Sequence, residues 1–174
     1  MTEPASRPPA TAIRIRDFRS GDEALLRQVF VSAIDGSTDG HYSQAQREAW
    51  LAGAGDVARW NLRIQRLQPF VALHDGVVAG YADLQPSGLI DHFFVAADHA
   101  HRGVGSALLQ HLQQQARRRG IVELHAHVSL SAERFFKRHG FRVKQRQTVR
   151  VAGIGLDNAV MCKHMESEAG ASAD

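Results

Sequence analysis

Residues 98–109 read DHAHRGVGSALL, and this stretch is more informative about the fold than any other in the chain. It leads from a predicted strand through Gly103 and Gly105 into a predicted helix. A helix N-terminus has unpaired N–H groups and about half a positive charge, so it binds phosphate. Glycines let a ligand approach the backbone, and Arg102 adds a cation. A tight turn that binds no ligand is the alternative. The dinucleotide-binding fingerprint is excluded, because this loop has only two glycines and no βαβ unit precedes it.

Hydrophobic periodicity around this loop predicts a mixed sheet with helices on both faces. A helix is predicted over Gly103–Arg119, where Gly120 ends it. Upstream, Asp75 and Gly76 predict the turn of a hairpin, and Leu89–Val95 is predicted as one continuous strand. The complete order is strand, two or three helices, three strands, helix, strand, short helix and two closing strands. This order predicts an α/β (mixed α+β) domain whose central, mostly antiparallel sheet has six to seven strands.

Capping residues predict where the first helices begin and end. Ser20 or Asp22 is expected to start the first helix, which runs to about Ile34 before Gly36–Gly40 breaks the chain. Ser43 is expected to cap the second helix, and the third is predicted to begin at Asp56.

Length and composition predict one domain over residues 12–165. Residues 1–11 are expected to form a disordered leader and residues 166–174 a disordered tail. The single cysteine, Cys162, excludes an internal disulfide and a cysteine-based zinc site. No apolar run approaches the roughly 20 residues that span a bilayer, and no signal peptide is evident. A cytoplasmic protein without a membrane partner is therefore expected.

Charge is distributed unevenly along the chain. Residues 101–150 contain eleven Lys or Arg against two Asp or Glu, a balance of +9, whereas the remainder has ten against sixteen, a balance of −6. This asymmetry indicates that the C-terminal half meets a polyanion, with a solvated basic face as the alternative. Nucleic acid is not expected as the partner, because aromatic residues are not interleaved with the basic ones.

Two motifs resemble the GNAT acetyltransferases. The stretch FFVAADHAHRGVGSALLQHL (93–112) is similar to the family's coenzyme A motif, Q/R-x-x-G-x-G/A, and VSLSAERFFKRHGF (128–141) is similar to a later family segment. In the ungapped register Ala100 occupies the leading Gln/Arg position; a shifted register places Arg102 there. The resemblance implies the GNAT acyltransferase fold and acetyl-CoA as co-substrate. It assigns coenzyme binding to Phe93, Phe94, Val95, His101, Arg102, Gly103, Val104, Gly105, Ser106, Ser131, Phe135, Phe136 and Arg138.

The resemblance implies an N-acetyltransferase that moves the acetyl group to a primary amine of a small molecule by direct attack in a ternary complex. A protein N-terminal or lysine acetyltransferase and a non-catalytic coenzyme A-binding module are the alternatives. The family places the acceptor near its first helices, which suggests His41, Tyr42 and Trp50 as binding residues. The protein is expected to be a monomer or a homodimer.

The base is expected on the strand that faces the thioester. Period two places Asp91 on one face with Phe93 and Val95, so Asp91 is the first candidate, followed by Asp83 and then His92. An aspartate is a weak base at neutral pH, so action through water is an option. The N–H at the Val95 end is expected to meet the oxyanion.

The general acid is not evident from the sequence. Phe136 occupies the position of the family's usual acidic tyrosine, so Tyr81, Tyr42 or a water molecule is expected to replace it, unless the thiolate leaves unassisted. Cys162 is expected to be a packing residue rather than a nucleophile. His125 and His127 alternate on one strand, but no third ligand accompanies them, so no metal is predicted.

Overall fold

The computed structural model describes residues 12–37 and 40–166. The predicted leader (1–11) and all but the first residue of the predicted tail lie outside these ranges. The described elements, in chain order, are β1 (Ile13–Asp17), α1 (Glu23–Ser37), α2 (Gln44–Ala52), α3 (Val57–Leu67), β2 (Phe70–His74), β3 (Val77–Ala82), β4 (Leu89–Ile90), β5 (Phe93–Val95), a 3₁₀ turn (Ala97–His99), α4 (Val104–Arg118), β6 (Glu123–Ser129), α5 (Glu133–Arg138), β7 (Arg142–Val151) and β8 (Ile154–His164).

The strands form two four-stranded sheets. The N-terminal sheet has the order β1-β2-β3-β5 and is antiparallel throughout. The C-terminal sheet has the order β4-β6-β8-β7, in which only β4 and β6 are parallel. The predicted mixed, mostly antiparallel architecture is confirmed; the described residues form eight strands in two sheets rather than six or seven in one.

The prediction of one strand over Leu89–Val95 is wrong, because the chain leaves one sheet and enters the other at Asp91 and His92. The Asp83 Oδ1 atom accepts the main-chain N–H of Asp91 at 3.0 Å and that of His92 at 2.6 Å. The two N–H groups therefore donate to the Asp83 side chain instead of to the main chain of a neighbouring strand. The break separates β4 from β5 and opens the space between the sheets.

Most turn and cap predictions are confirmed. Ser43 forms a capping box with Gln46, and the Asp56 side chain accepts the N–H of Arg59. Asp75 and Gly76 both have positive φ, as the hairpin turn requires. The first helix, however, runs through Gly36 instead of stopping near Ile34.

Helices cover both faces of the N-terminal sheet, as predicted. On one face α1 and α3 bury a core that includes Leu26, Ile34, Trp60 and Tyr81. On the other face α4 buries a larger core that continues beneath the C-terminal sheet. The close packing of these layers fixes the two sheets relative to α1 and α4.

None of the helices within residues 12–37 and 40–166 is long and apolar enough to cross a membrane.

Candidate functional site

A cleft of about 960 Å³ lies between the two sheets. On one side is β5, the last strand of its sheet. On the other side is the end of β6. Among the residues that the structure describes, β4 pairs with β6 at His125 and Ala126 alone, so this edge of β6 is unpaired from His127 onward. Two strand edges with free main-chain groups therefore face the same space. The predicted coenzyme residues that line this cleft are Phe93, Phe94, Val95, His101, Gly103, Gly105, Ser106, Ser131, Phe135, Phe136 and Arg138.

The main chain of β5 offers hydrogen-bonding groups to the cleft. On its β3 side, Phe94 pairs with Tyr81, while the flanking His92 O accepts the N–H of Asp83 and the Ala96 N–H donates to Ala79 O. Because hydrogen-bonding direction alternates along an antiparallel strand, the main-chain groups of Phe93 and Val95 point away from that neighbour. An extended ligand can therefore pair with β5 as another strand would.

The loop before α4 meets one end of the cleft. Gly103 has φ +87° and His101 has φ +59°, and these left-handed residues turn the chain into the helix. No side chain within the described ranges caps α4, so its first N–H groups are open to a ligand. A Cβ added to Gly105 would lie 3.2 Å from the Phe135 ring, which shows how closely the backbone approaches α5.

Polar groups continue along the wall formed by α5. The Ser131 hydroxyl is buried and has no hydrogen-bond partner among the residues that the structure describes. A buried hydroxyl without a partner is costly, so a ligand at this position would be stabilised by it. Arg138 lines the cleft, as does Arg134, which sequence reasoning did not select. The site therefore fits an elongated anion that has apolar and amide segments.

Two predicted coenzyme residues do not line the cleft with their side chains. Arg102 is exposed and absent from the walls, and Val104 is fully buried in the core beneath α4. Val104 can contribute only its main chain to the loop. Arg102 is placed for attraction at a distance rather than for contact.

The opposite side of the cleft is apolar. Ala33, Ile34, Trp50 and Phe94 form it. Gly36 also lies on this wall, where an added Cβ would overlap that of Ala97 and force the helix away. Of the predicted acceptor residues, the structure therefore brings only Trp50 to the cleft.

His41 and Tyr42 lie elsewhere. His41 is exposed and is not part of the walls. The Tyr42 hydroxyl donates to the Asp157 carbonyl at 2.7 Å and accepts the N–H of Leu130 at 2.9 Å, so its hydrogen bonds hold the structure behind Trp50. The Tyr42 ring meets that of Trp50 edge to face.

Asp91 is the only one of the predicted catalytic residues that reaches the cleft within the described part of the chain. Its carboxylate accepts a hydrogen bond from Arg63 at 3.1 Å, and the Asp91 side chain is 37% exposed. This ion pair is largely solvated and stabilises the fold little. The carboxylate therefore remains available to a cation that enters the cleft.

Asp83 and Tyr81 are fully buried behind the cleft. The Tyr81 hydroxyl lies 3.0 Å from His92 Nδ1, and burial raises the Tyr81 pKa well above its ordinary value. Burial also lowers the pKa of His92 to about 4, so its imidazole is neutral at physiological pH. This network supports the break between β4 and β5 from behind the wall residues Asp91 and Phe94, and its own side chains do not line the cleft.

Burial raises the pKa of Asp83 to about 6. Because the folded pKa exceeds the unfolded value near 3.9, the folded protein binds the extra proton between about pH 4 and pH 6. The free energy of unfolding is therefore expected to fall by roughly 3 kcal/mol, relative to Asp83→Asn, as pH rises through this window. Urea unfolding of both proteins at pH 4, 5, 6 and 7 measures this difference. A constant difference would contradict the burial of an ionisable carboxyl group.

Sequence reasoning missed His127 and Ser129 as residues of the site. Both line the cleft because β4 ends after Ile90 and leaves this part of β6 without a neighbour. The sequence shows that His127 and Ser129 alternate along a predicted strand. It does not show that β4 is too short to cover them. No three His, Cys, Asp or Glu side chains in the described ranges gather as a metal ion would require.

Known proteins share both the sequence pattern and the architecture. A family model described as an acetyltransferase (GNAT) domain matches residues 38–158. The uncharacterized N-acetyltransferase YafP of Escherichia coli (strain K12) is 32% identical over 149 residues, which cover 86% of this chain and 94% of YafP.

Solved structures agree with these matches. The Rhodopseudomonas palustris protein described as the GCN5-related N-acetyltransferase "Aminotransferase, Class-II" superimposes with a TM-score of 0.85 at 33% identity, over 88% of this chain and 96% of that one. YncA, a putative acetyltransferase from Salmonella typhimurium solved with acetyl-CoA, has a TM-score of 0.62 at 22% identity, over 94% and 100% of the two chains. The latter likeness shows the fold alone.

Proposed function

This chain belongs to the GNAT acetyltransferase family, and we propose that it moves the acetyl group of acetyl-CoA to a primary amine of a small molecule. The observation that carries the proposal is the cleft between two open strand edges, with an uncapped helix N-terminus at one end. A ligand with a diphosphate and an amide-containing arm complements both features. The YncA structure, which holds acetyl-CoA in the same fold, supports this choice.

The chain's own residues are suited to hold the coenzyme. Main-chain N–H groups from Gly103 to Ser106 would bind the diphosphate, and the main chain of Phe93 and Val95 would pair with the amide arm. Arg138 and the orphaned Ser131 hydroxyl would bind along α5. When bound, acetyl-CoA supplies an activated acyl group, so the protein needs no nucleophile of its own.

The acceptor is proposed to enter from the apolar side, where Asp91 receives it. The carboxylate attracts the ammonium and orients it. Asp91 is the first candidate for the base, acting directly or through water. The Val95 N–H, which was expected to meet the oxyanion, is proposed to pair with the amide arm instead. Asp83 is the weaker candidate, because its oxygens accept hydrogen bonds from Asp91 N, His92 N and Gln85.

We propose water as the proton donor to the departing thiolate. Phe136 has no acidic group to offer. Its ring is 3% exposed and packs edge to face against Phe93 and Phe141. The hydroxyls of Tyr81 and Tyr42 are engaged in the bonds described above and do not line the cleft. A thiolate is a stable leaving group, which reduces the need for a dedicated acid.

Calorimetric titration with acetyl-CoA, followed by a thiol-release assay with a panel of primary amines and amine-bearing peptides, tests the function. Binding and thiol release with small amines are expected. Thiol release with peptides alone would indicate a protein acetyltransferase, whereas binding without turnover would indicate a non-catalytic module. Absence of acetyl-CoA binding would contradict the proposal as a whole.

A further inference from the structure

His127 of β6 and Asp91, the residue that follows β4, both line the cleft. The parallel strands β4 and β6 are in register at Ile90 and Ala126, and they separate after this pair. Parallel strands in register present equivalent side chains to the same face. Because Ala126 faces the core beneath α4, His127 lies on the other face of β6. The ion pair with Arg63 of α3 places Asp91 on the same side. Both residues line the cleft.

This other face is the apolar, acceptor side of the cleft. Ile34 of α1 and Trp50 of α2 line it, and both helices lie on the side of the sheets opposite α4. The α2 helix is tied to β8 through Gln46, whose amide donates to the Gly155 carbonyl at 2.9 Å. Asp91 and His127 therefore both face the side from which the amine is proposed to enter.

An ammonium held by Asp91 still has to lose a proton before its nitrogen can attack. A free aspartate has a pKa near 3.9 and is a weak base at neutral pH, whereas an imidazole is the side chain best suited to accept a proton there. His127 is exposed and lines the cleft. Its Nδ1 contacts the Gln147 amide at 3.5 Å, so Nε2 is the nitrogen that the ring can present to a ligand.

We propose that His127 is a catalytic residue that takes the proton from the acceptor ammonium while Asp91 holds it. This inference rests on the proposed function. One N–H bond of the ammonium breaks, its electron pair stays on nitrogen, and the proton forms an N–H bond on the imidazole. The neutral amine then attacks the thioester carbon and the C–S bond breaks. The second amine proton passes through water to the thiolate, and the imidazolium returns its proton to solvent.

Two acceptors that differ in acidity test this role. Ethylamine is protonated at neutral pH, whereas 2,2,2-trifluoroethylamine is largely neutral because its fluorines withdraw electrons, and both are small enough to enter the cleft. His127→Gln is expected to lower kcat/KM for ethylamine about 100-fold. For trifluoroethylamine, which arrives without the extra proton, a loss of less than about threefold is expected. A merely structural role would lower both rates equally.

His125→Gln is the matched control. His125 lies on the same strand and the same face, but it pairs with Leu89 and does not line the cleft. It is expected to leave both rates unchanged, and acetyl-CoA affinity is expected to be unchanged in both variants. Equal losses with the two amines, or wild-type rates for His127→Gln, would overturn the role of His127 alone. A wild-type protein that turns over neither these nor other amines would overturn the proposed function, and this inference with it.

Discussion

Replacing Gly103 by glutamate is expected to abolish acetyl-CoA binding, with a loss of more than about 100-fold in affinity. The substituted residue precedes the uncapped first turn of α4, where the diphosphate is proposed to bind. A carboxylate at this point repels the phosphates, which costs several kcal/mol. Its Cβ would also lie 3.4 Å from the Ile13 side chain. Calorimetric titration of the variant with acetyl-CoA measures the effect.

Gly120→Glu is the control for this variant. Gly120 follows the other end of α4, also has positive φ (67° against 87° for Gly103), and has open space where a side chain would extend. The control therefore adds the same charge and a similar backbone strain to the same helix, far from the loop. It is expected to bind acetyl-CoA normally. Equal affinity for both variants would contradict the placement of the diphosphate.

Asp91→Asn is expected to lower kcat/KM for the amine about 100-fold while acetyl-CoA affinity stays within about twofold. The amide keeps the shape of the side chain but has no charge to attract an ammonium. The loss of the ion pair with Arg63 has little effect on stability, because the pair is more than one-third exposed on both sides. Initial-rate thiol release and calorimetry together separate the two effects.

Asp17→Asn provides the comparison for Asp91. Asp17 is an exposed carboxylate at the end of β1, and it takes no part in the cleft. Its substitution changes the net charge by the same amount, and turnover is expected to remain at the wild-type level. Full activity of Asp91→Asn would dismiss this carboxylate as the residue that receives the amine.

Local sequence signals predict most of the elements because their causes are local. The Asp75-Gly76 turn, the Ser43 capping box and the glycines that flank α4 each depend on residues only a few positions apart. Each of these signals has one dominant conformation in a polypeptide. The order of helices and strands therefore follows from the chain, and with it the position of the glycine loop.

The division of the strand at Asp91 and His92 could not be predicted in the same way. It depends on the Asp83 carboxylate, which lies eight and nine positions earlier and is brought to the two N–H groups by the pairing of β3 with β5. Period two placed Asp91 on the same face as Phe93, whereas in the structure the two residues lie on either side of a break. The role of His127 in the cleft wall depends on the same break.

The basic C-terminal half is explained only in part by the site. Arg134 and Arg138 line the cleft, where they would meet an anionic ligand. Residues 117–119 lie at the far end of α4, and Arg119 donates to the Leu84 carbonyl at 3.1 Å and lies over the Phe70 ring. For Arg119 the structure therefore shows a packing role. Tertiary packing decides which lysine and arginine side chains reach the cleft. A count of charges along the sequence cannot predict that packing.

The most direct test of the account is a crystal structure of the protein grown with acetyl-CoA. Density for the diphosphate is expected against the main-chain N–H groups of residues 103–106, with the acyl arm along β5 and the thioester between Asp91 and His127. A structure in which the coenzyme occupies another surface while this loop holds no phosphate would contradict it.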